Sequence, residues 1–264
     1  MDRGDQLSKR VGIVVPTLGR RTDYLNQCLE SIRASGQAHV CLVAQKDFDF
    51  QPLISAGLAD QFVVDPAEGL AEAINKGFSE LPKEIEYINW LGDDDLLAPG
   101  SLGETVQVLD SNPGTVLVYG SCDYVDPNGK VVWANKSGQW ASPLLHLGPD
   151  LIPQPGALFR RSAFEQVGGL SRTYDWAFDF DLLLKLKKRG KLRFTNKTIA
   201  SFRWHPESLS VEFRTMSVAE ASKVRVSHLP ALLRPVSCLW EYPVKKATLI
   251  AGNRVTARAK RLAK

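Results

Sequence analysis

The chain has 264 residues, 44% hydrophobic and 23% charged, which suits a water-soluble globular protein built as one large domain or a domain plus an extension. No run of about 18 apolar residues occurs, so no transmembrane helix is expected. The net charge of +4 is uneven: from residue 223 onward there are ten Lys/Arg and one acid, Glu241, so a slightly acidic body carries a basic tail. Basic residues are not interleaved with aromatics across the body, and nucleic acid is not an expected partner. The polar start, MDRGDQLSKR, gives no expectation of a secretory leader. Four scattered cysteines without a CxxC pair fit a reducing compartment. The expected location is therefore cytoplasmic.

Three short β-branched runs open the chain: VGIVV (11–15), HVCLV (39–43) and QFVV (61–64). Between the first two, Leu25, Cys28, Leu29 and Ile32 fall at helical spacing, with Gly36 as a stop. EGLAEAINKGFSEL predicts another helix, followed by a buried strand over Ile85–Leu91. Strands alternating with helices imply a parallel sheet, with ligands beyond the carboxyl ends of its strands. The loops PTLGRR, AQKDFD and GDDD fall there. In the second half, TVLVYGSCDYV predicts a strand entering a hairpin at Asp126–Gly129. QPGALFRRSAFEQVGG predicts a strand and short helix, AFDFDLLLKLKKRG a helix ending at Gly190, and KTIASFRW a final strand. The body is expected to be a single α/β domain with a nucleotide-type front half and a mixed back half.

Asp93, Asp94 and Asp95 follow the fourth strand without a break. Like charges packed there call for a cation. In an extended segment alternate side chains share a face, so Asp93 and Asp95 are expected to converge and Asp94 to point elsewhere. Two carboxylates suit Mg²⁺ or Mn²⁺ together with substrate phosphates. The plainer alternative is an acidic turn in which Asp95 or Ser101 caps the next helix.

A second acidic cluster lies in YDWAFDFDLLL. On a helix Asp179 and Asp181 are about 200° apart. Asp179 is expected on the inward face with Leu182, Leu183 and Leu186, and Asp181 on a solvated face with Lys185 and Lys188. A carboxylate in the first helical turn is held ionised by the helix dipole, as a general base must be. Helix capping by Asp175 or Asp179 explains the same residues. Pro16, Thr17, Gly19 and Arg20 form a loop where a nucleotide can lie, although it is neither a Walker loop nor GxGxxG. Trp176 is either a sugar-stacking platform or a buried aromatic, and His205 a phosphate or metal contact or a structural histidine.

With those residues in view, the sequence resembles a family 2 inverting glycosyltransferase of the GT-A fold over about residues 10–211. VGIVVPTLGR resembles the family's first strand and nucleotide loop, and EGLAEAINKGF its G-(I/L)-x-x-A-x-N-x-G helix. WLGDDDLLAPGSL resembles its DxD segment, QPGALFRRSAFEQVGGL and AFDFDLLLKLKKRGKLRF its acceptor side, and FRWHPESLS its common ending. The resemblance implies a Rossmann-like domain with a mixed, mainly parallel sheet flanked by helices. It implies a nucleotide half at about 10–98, an acceptor half at about 99–211, and a basic extension at 212–264. It also implies a divalent metal, Mn²⁺ or Mg²⁺, held by Asp95 with Asp93 and near His205. Asp94 is the aspartate least expected to reach the ion.

The same resemblance makes Asp179 the base, Pro16, Thr17, Gly19, Arg20, Asn75, Lys76, Asp93 and Asp94 donor contacts, and Trp176 and Asp181 acceptor contacts. The implied donor is a UDP- or dTDP-sugar, and the acceptor a glycan or lipid-linked saccharide in cell-surface polysaccharide synthesis. One departure is the second loop, where Ala44 and Gln45 replace the family's usual base-contacting acids; Gln45, or Asp47 with a shifted loop, is then the base contact. Rival expectations are a non-catalytic nucleotide-sugar-binding protein and a sugar-phosphate nucleotidylyltransferase, the latter poorly served by PTLGRR. For the tail the expectations are peripheral contact at the inner membrane face, contact with a partner such as a second copy in a homodimer, or packing on the body.

Overall fold

The first strand, β1 (Val11–Pro16), is buried almost throughout, because both faces of this sheet are covered. The computed structural model describes residues 10–134, 138–204 and 213–262. In it β1 is flanked by β2 (His39–Ala44) and β4 (Tyr87–Trp90), both parallel to it, and β3 (Gln61–Val64) pairs parallel outside β2. On the other side, β8 (Leu158–Arg160) runs antiparallel between β4 and β6 (Thr115–Val125). The long β9 (Lys191–Arg203) lies parallel to β6, and a short β5 (Leu96–Leu97) pairs antiparallel with its end. β7 (Val131–Ala134) completes a hairpin with β6. The spatial order is β3-β2-β1-β4-β8-β6-β9-β5.

Alternation along the strands feeds two hydrophobic layers. Val11, Ile13 and Val15 pack with Leu25, Cys28, Leu29 and Ile32 of α1 (Thr22–Ser35), under α2 (Gln51–Ser55) and with α4 (Ser101–Asp110). Val14, Val43, Ile88 and Phe159 face the opposite way, toward Ile74 and Phe78 of α3 (Leu70–Glu80). After α5 (Ala141–Leu144), α6 (Arg161–Gln166) and α7 (Phe178–Lys187) complete that layer. Gly77 lets α3 approach closely: a Cβ there would lie 2.6 Å from Val14 and 2.9 Å from Val43.

The basic tail packs on this body. α8 (Arg214–His228) and α9 (Cys238–Leu262) form an antiparallel hairpin, with α8 against α7 and α9 against α8 and β7. Arg225 and Glu241 join them in a buried pair at 2.6 Å. The same guanidinium donates to the Gly148 carbonyl at 2.6 Å, and Ser222 donates to Glu241 at 2.5 Å. Among the described residues no helix is long and apolar enough to cross a membrane.

The expected strands and helices of residues 11–203 are all present, with β9 beginning earlier than KTIASFRW suggested. The sequence reading missed α2, β5, α5 and both tail helices. In α9 the mixed composition and an internal Pro243 hide the helical period.

Candidate active site

Parallel strands β1, β2, β4, β6 and β9 end at one edge of the sheet. Because α7 leads into the start of β9, its own N-terminus lies at that same edge, as does the loop entering the antiparallel β8. The loops after β1, β2 and β4, the Asp150–Gly156 segment and the residues around Asp179 therefore share one side of the molecule.

The loop after β1 is fixed by its own hydrogen bonds. Thr17 is buried; its amide donates to the Val43 carbonyl at 2.9 Å, and its hydroxyl donates to Asp93 Oδ2 at 2.5 Å. Gly19 adopts φ +68 and donates its amide to the Thr17 hydroxyl at 3.0 Å. A Cβ on Gly19 would also lie 2.7 Å from Phe48, so the position suits glycine twice over. Arg20 is exposed, whereas Arg21 pairs with Asp94 Oδ2 at 3.2 Å. Gln45 is exposed past the end of β2, and its carbonyl accepts from the Phe48 amide.

The three aspartates do not alternate as an extended strand would. The Asp95 amide donates back to the Gly92 carbonyl at 3.1 Å, making a turn that separates the carboxylates. Asp93 faces Thr17, Asp94 faces Arg21, and Asp95 Oδ1 accepts from the Arg203 amide at 3.0 Å. Asp94 Oδ1 and Asp95 Oδ2 lie 3.0 and 3.2 Å from where a Cβ on Gly92 would stand, so the turn leaves no room for a side chain there. This turn stands where the sequence suggested the alternation of an extended strand.

Arg203 is the second cation of this cluster, and sequence reasoning missed it. Its buried guanidinium donates to the carbonyls of Asp94 (3.0 Å) and Pro127 (2.8 Å) and to Gln27 Oε1 (2.8 Å), and it lies over the Tyr24 ring. Even so, burial pushes the Asp95 carboxyl well above the usual range, and Asp94 and Asp93 add to the shift. Hard carboxylate oxygens with excess negative charge fit a divalent cation chemically. Among the described residues, however, no three His, Cys, Asp or Glu side chains group to hold one. An ion here would rest on Asp95 with a neighbouring aspartate of the turn and take its remaining oxygens from phosphate and water. His205 lies outside the described residues.

Asp179 stands in the first turn of α7, where its Oδ1 accepts the Phe180 amide at 2.7 Å. Burial outweighs the backbone amides and raises its carboxyl to about 6, so the dipole does not hold it low as expected. Glu220 of α8 adds to the shift, and the half-buried Asp150 carboxyl is likewise raised, by desolvation first and by the Asp179 charge second. Asp150, stationed by an Asx turn to the Ile152 amide at 3.1 Å, had not been singled out from sequence. Neither had Glu220, which accepts the amides of Asp175 (3.2 Å), Trp176 (2.6 Å) and Ala177 (2.7 Å).

Several of the expected contact residues also hold the scaffold. Asp181 is buried, not solvated: it pairs with Lys185 at 2.6 Å and with His228 at 2.7 Å, because α8 covers the face that looked open. Asn75 spends both amide atoms on the Leu170 backbone, each at 3.0 Å. Lys76 pairs with Glu80 one helical turn on, at 2.6 Å. Trp176 is half-buried and stacks on Phe213 at 4.4 Å. Pro16 closes β1 in register with Val43.

Residues 12–168 match the family model described as glycosyl transferase family 2. The chain belongs to that family, and its fold is of the GT-A type. It is 26% identical over 199 residues to the O-antigen biosynthesis protein RfbC of Myxococcus xanthus, covering 69% of this chain and 15% of that protein. It is 23% identical over 212 residues to the glycosyltransferase RT0329 of Rickettsia typhi, covering 75% of this chain and 65% of the other. A Sinorhizobium fredii protein, y4gI, is 26% identical over 79% of this chain and 24% of its own length. The chain thus spans between about a seventh and two thirds of these relatives. Among solved structures, the Pyrobaculum calidifontis mannosyltransferase PcManGT, in complex with GDP-Man and Mn²⁺, superposes with TM-score 0.63 at 16% identity, over 96% of this chain and 80% of that one. TarS 1–349 of S. aureus, in complex with UDP, gives 0.60 at 13%, over 97% and 92%.

Proposed function

We propose that this member of the glycosyl transferase family transfers a sugar, with inversion, from a nucleotide-diphosphate sugar to an acceptor hydroxyl. The observation that carries the reading is Asp179. It is a partly exposed carboxyl, desolvated enough to be raised to about 6, on the same sheet edge as the Asp93–Asp95 turn and poised to take a proton near neutral pH. The acceptor hydroxyl gives its proton to Asp179 while its oxygen attacks the anomeric carbon. The bond to the diphosphate breaks in the same displacement, and the nucleoside diphosphate leaves. One displacement inverts the centre and needs no protein nucleophile.

Around that step, the Thr17–Gly19 loop and exposed Gln45 flank the nucleotide position, and Arg21 and Arg203 hold the carboxylate turn in shape. A divalent cation, when bound by Asp95 with a second aspartate of the turn, would neutralise charge developing on the diphosphate. Asp93 ties the nucleotide loop to this turn through Thr17. The acceptor class best suited to the family and to the exposed tail is a saccharide carried on lipid.

The deciding experiment screens UDP-, dTDP- and GDP-sugars by thermal shift with and without Mn²⁺, then measures transfer by wild type and Asp179→Asn. A donor should raise the melting temperature of both proteins only with Mn²⁺, and only wild type should turn over. A donor-dependent shift with no turnover for any acceptor would make the chain a nucleotide-sugar-binding protein instead.

A further inference from the structure

The outward side of the C-terminal hairpin combines apolar exposure with charge of one sign. On α9 the exposed positions Leu239, Tyr242, Lys246, Ile250, Ala257 and Arg261 recur at the helical period, while Glu241 and Ala259 are buried against the body. The turn before the helix extends this face. Leu232 is 90% exposed, Leu239 75% and Tyr242 70%, with Leu233 and Val236 beside them. Toward the far end the face turns basic, with exposed Arg254, Arg258, Lys260 and Arg261. The only acid from residue 223 onward, Glu241, is spent on Arg225 inside the hairpin. Among the described residues no carboxylate pairs with these cations, although Arg258 lies over the Trp133 ring at 5.9 Å.

We infer that this face docks on an anionic lipid bilayer. Apolar side chains this exposed would enter the boundary between headgroups and acyl chains, while the cations meet lipid phosphates. The helix lies on the surface rather than crossing it, since its apolar and basic residues share one side. A second copy of this chain fits poorly, because it would bring the same positive charge to the contact.

The position of the face gives it a use. Arg214, at the start of α8, donates to Asn253 at 3.0 Å and to Thr256 at 2.8 Å on α9. Phe213, one residue earlier, stacks on Trp176, three residues before Asp179. Docking through α9 would bring the Asp179 side of the molecule close to the bilayer, where a lipid-carried acceptor resides. Only this last link rests on the glycosyltransferase reading; lipid binding itself does not.

The full chain is tested by flotation with phosphatidylcholine vesicles with and without phosphatidylglycerol. Wild type should bind the anionic vesicles at least about tenfold more tightly, and added salt should weaken that binding. Leu232→Glu with Leu239→Glu and Tyr242→Glu should abolish flotation, as should Lys246→Glu with Arg254→Glu and Arg261→Glu, with melting temperatures unchanged. Absence of wild-type flotation on anionic vesicles would overturn the inference, as would full flotation by the charge-reversed variant. So would a concentration-dependent dimer in sedimentation that the same substitutions dissolve. None of these readouts requires transfer activity, so their failure is distinct from failure of the enzymatic reading.

Discussion

Glu220 accepts the Ala177 amide at 2.7 Å, joining the C-terminal hairpin to the first turn of the helix that carries Asp179. The contact reaches across 43 residues and supplies an acceptor to amides that a helix start leaves unpaired. It makes the basic tail part of the structure that holds Asp179 in place.

Glu220→Ala is therefore expected to cost about 1–2 kcal/mol of stability, in the range of a lost helix cap. It should also lower transfer more than donor affinity, because the donor loops lie on other elements. Urea denaturation together with donor titration checks this; equal loss of both functions would point to general unfolding.

Asp179 makes a two-sided prediction. Its folded-state pKa is raised from 3.8 to about 6 by burial, with Glu220 adding to the shift and Asp150 close by. The folded state then holds more protons than the unfolded chain between those values, so stability falls as pH rises through that window. The cost is fully present at pH 7. Asp179→Asn should raise stability there by roughly 1–3 kcal/mol while reducing transfer by at least about a hundredfold. In wild type, kcat/KM should climb with pH to an inflection near 6, and Glu220→Gln should move that inflection lower, because the Glu220 charge adds to the shift. An inflection near 4 in wild type would remove Asp179 from the role.

The Arg225–Glu241 pair is nearly inaccessible, with side chains 3% and 7% exposed. Glu241→Ala leaves a buried guanidinium uncompensated and should cost about 3–5 kcal/mol. Replacing both, as Arg225→Met with Glu241→Leu, should cost distinctly less than the single change. Chemical denaturation of the three variants measures the coupling, and simple additivity would contradict it.

Gly77→Ala places a methyl 2.6 Å from Val14. Overpacking between α3 and the sheet should destabilise by about 1–3 kcal/mol, and adding Val14→Ala should restore part of that loss. A neutral effect would show that α3 can move outward.

Much of the fold was legible because its signals are local. The runs at 11–15, 39–43 and 61–64 are short, apolar and bounded by turn residues, and α1 shows Leu25, Cys28, Leu29 and Ile32 at helical spacing. Asp179 and the aspartate triplet stood out as charges directly beside apolar segments. Asp150, Arg21, Glu220 and Arg203 did not, since nothing beside them in sequence distinguishes them from surface charges. Their importance comes from partners at the other end of the chain or across a loop. Arg203 lies 176 residues from Gln27, whose side chain it binds.

By itself the sequence determined the alternation of strands and helices, hence a parallel-type sheet with its site at the strand ends. It also marked the aspartate triplet and Asp179 beside apolar segments, and the excess of positive charge in the tail. Only the tertiary structure decided what each carboxylate faces. A turn at Gly92–Asp95 aimed Asp93 at Thr17, Asp94 at Arg21 and Asp95 at the Arg203 amide, in place of a strand's alternation. The packing of α8 buried Asp181 and drew Glu220 to the head of α7. Periodicity records which side of an element is apolar, but which distant element covers that side is settled only when the whole chain packs.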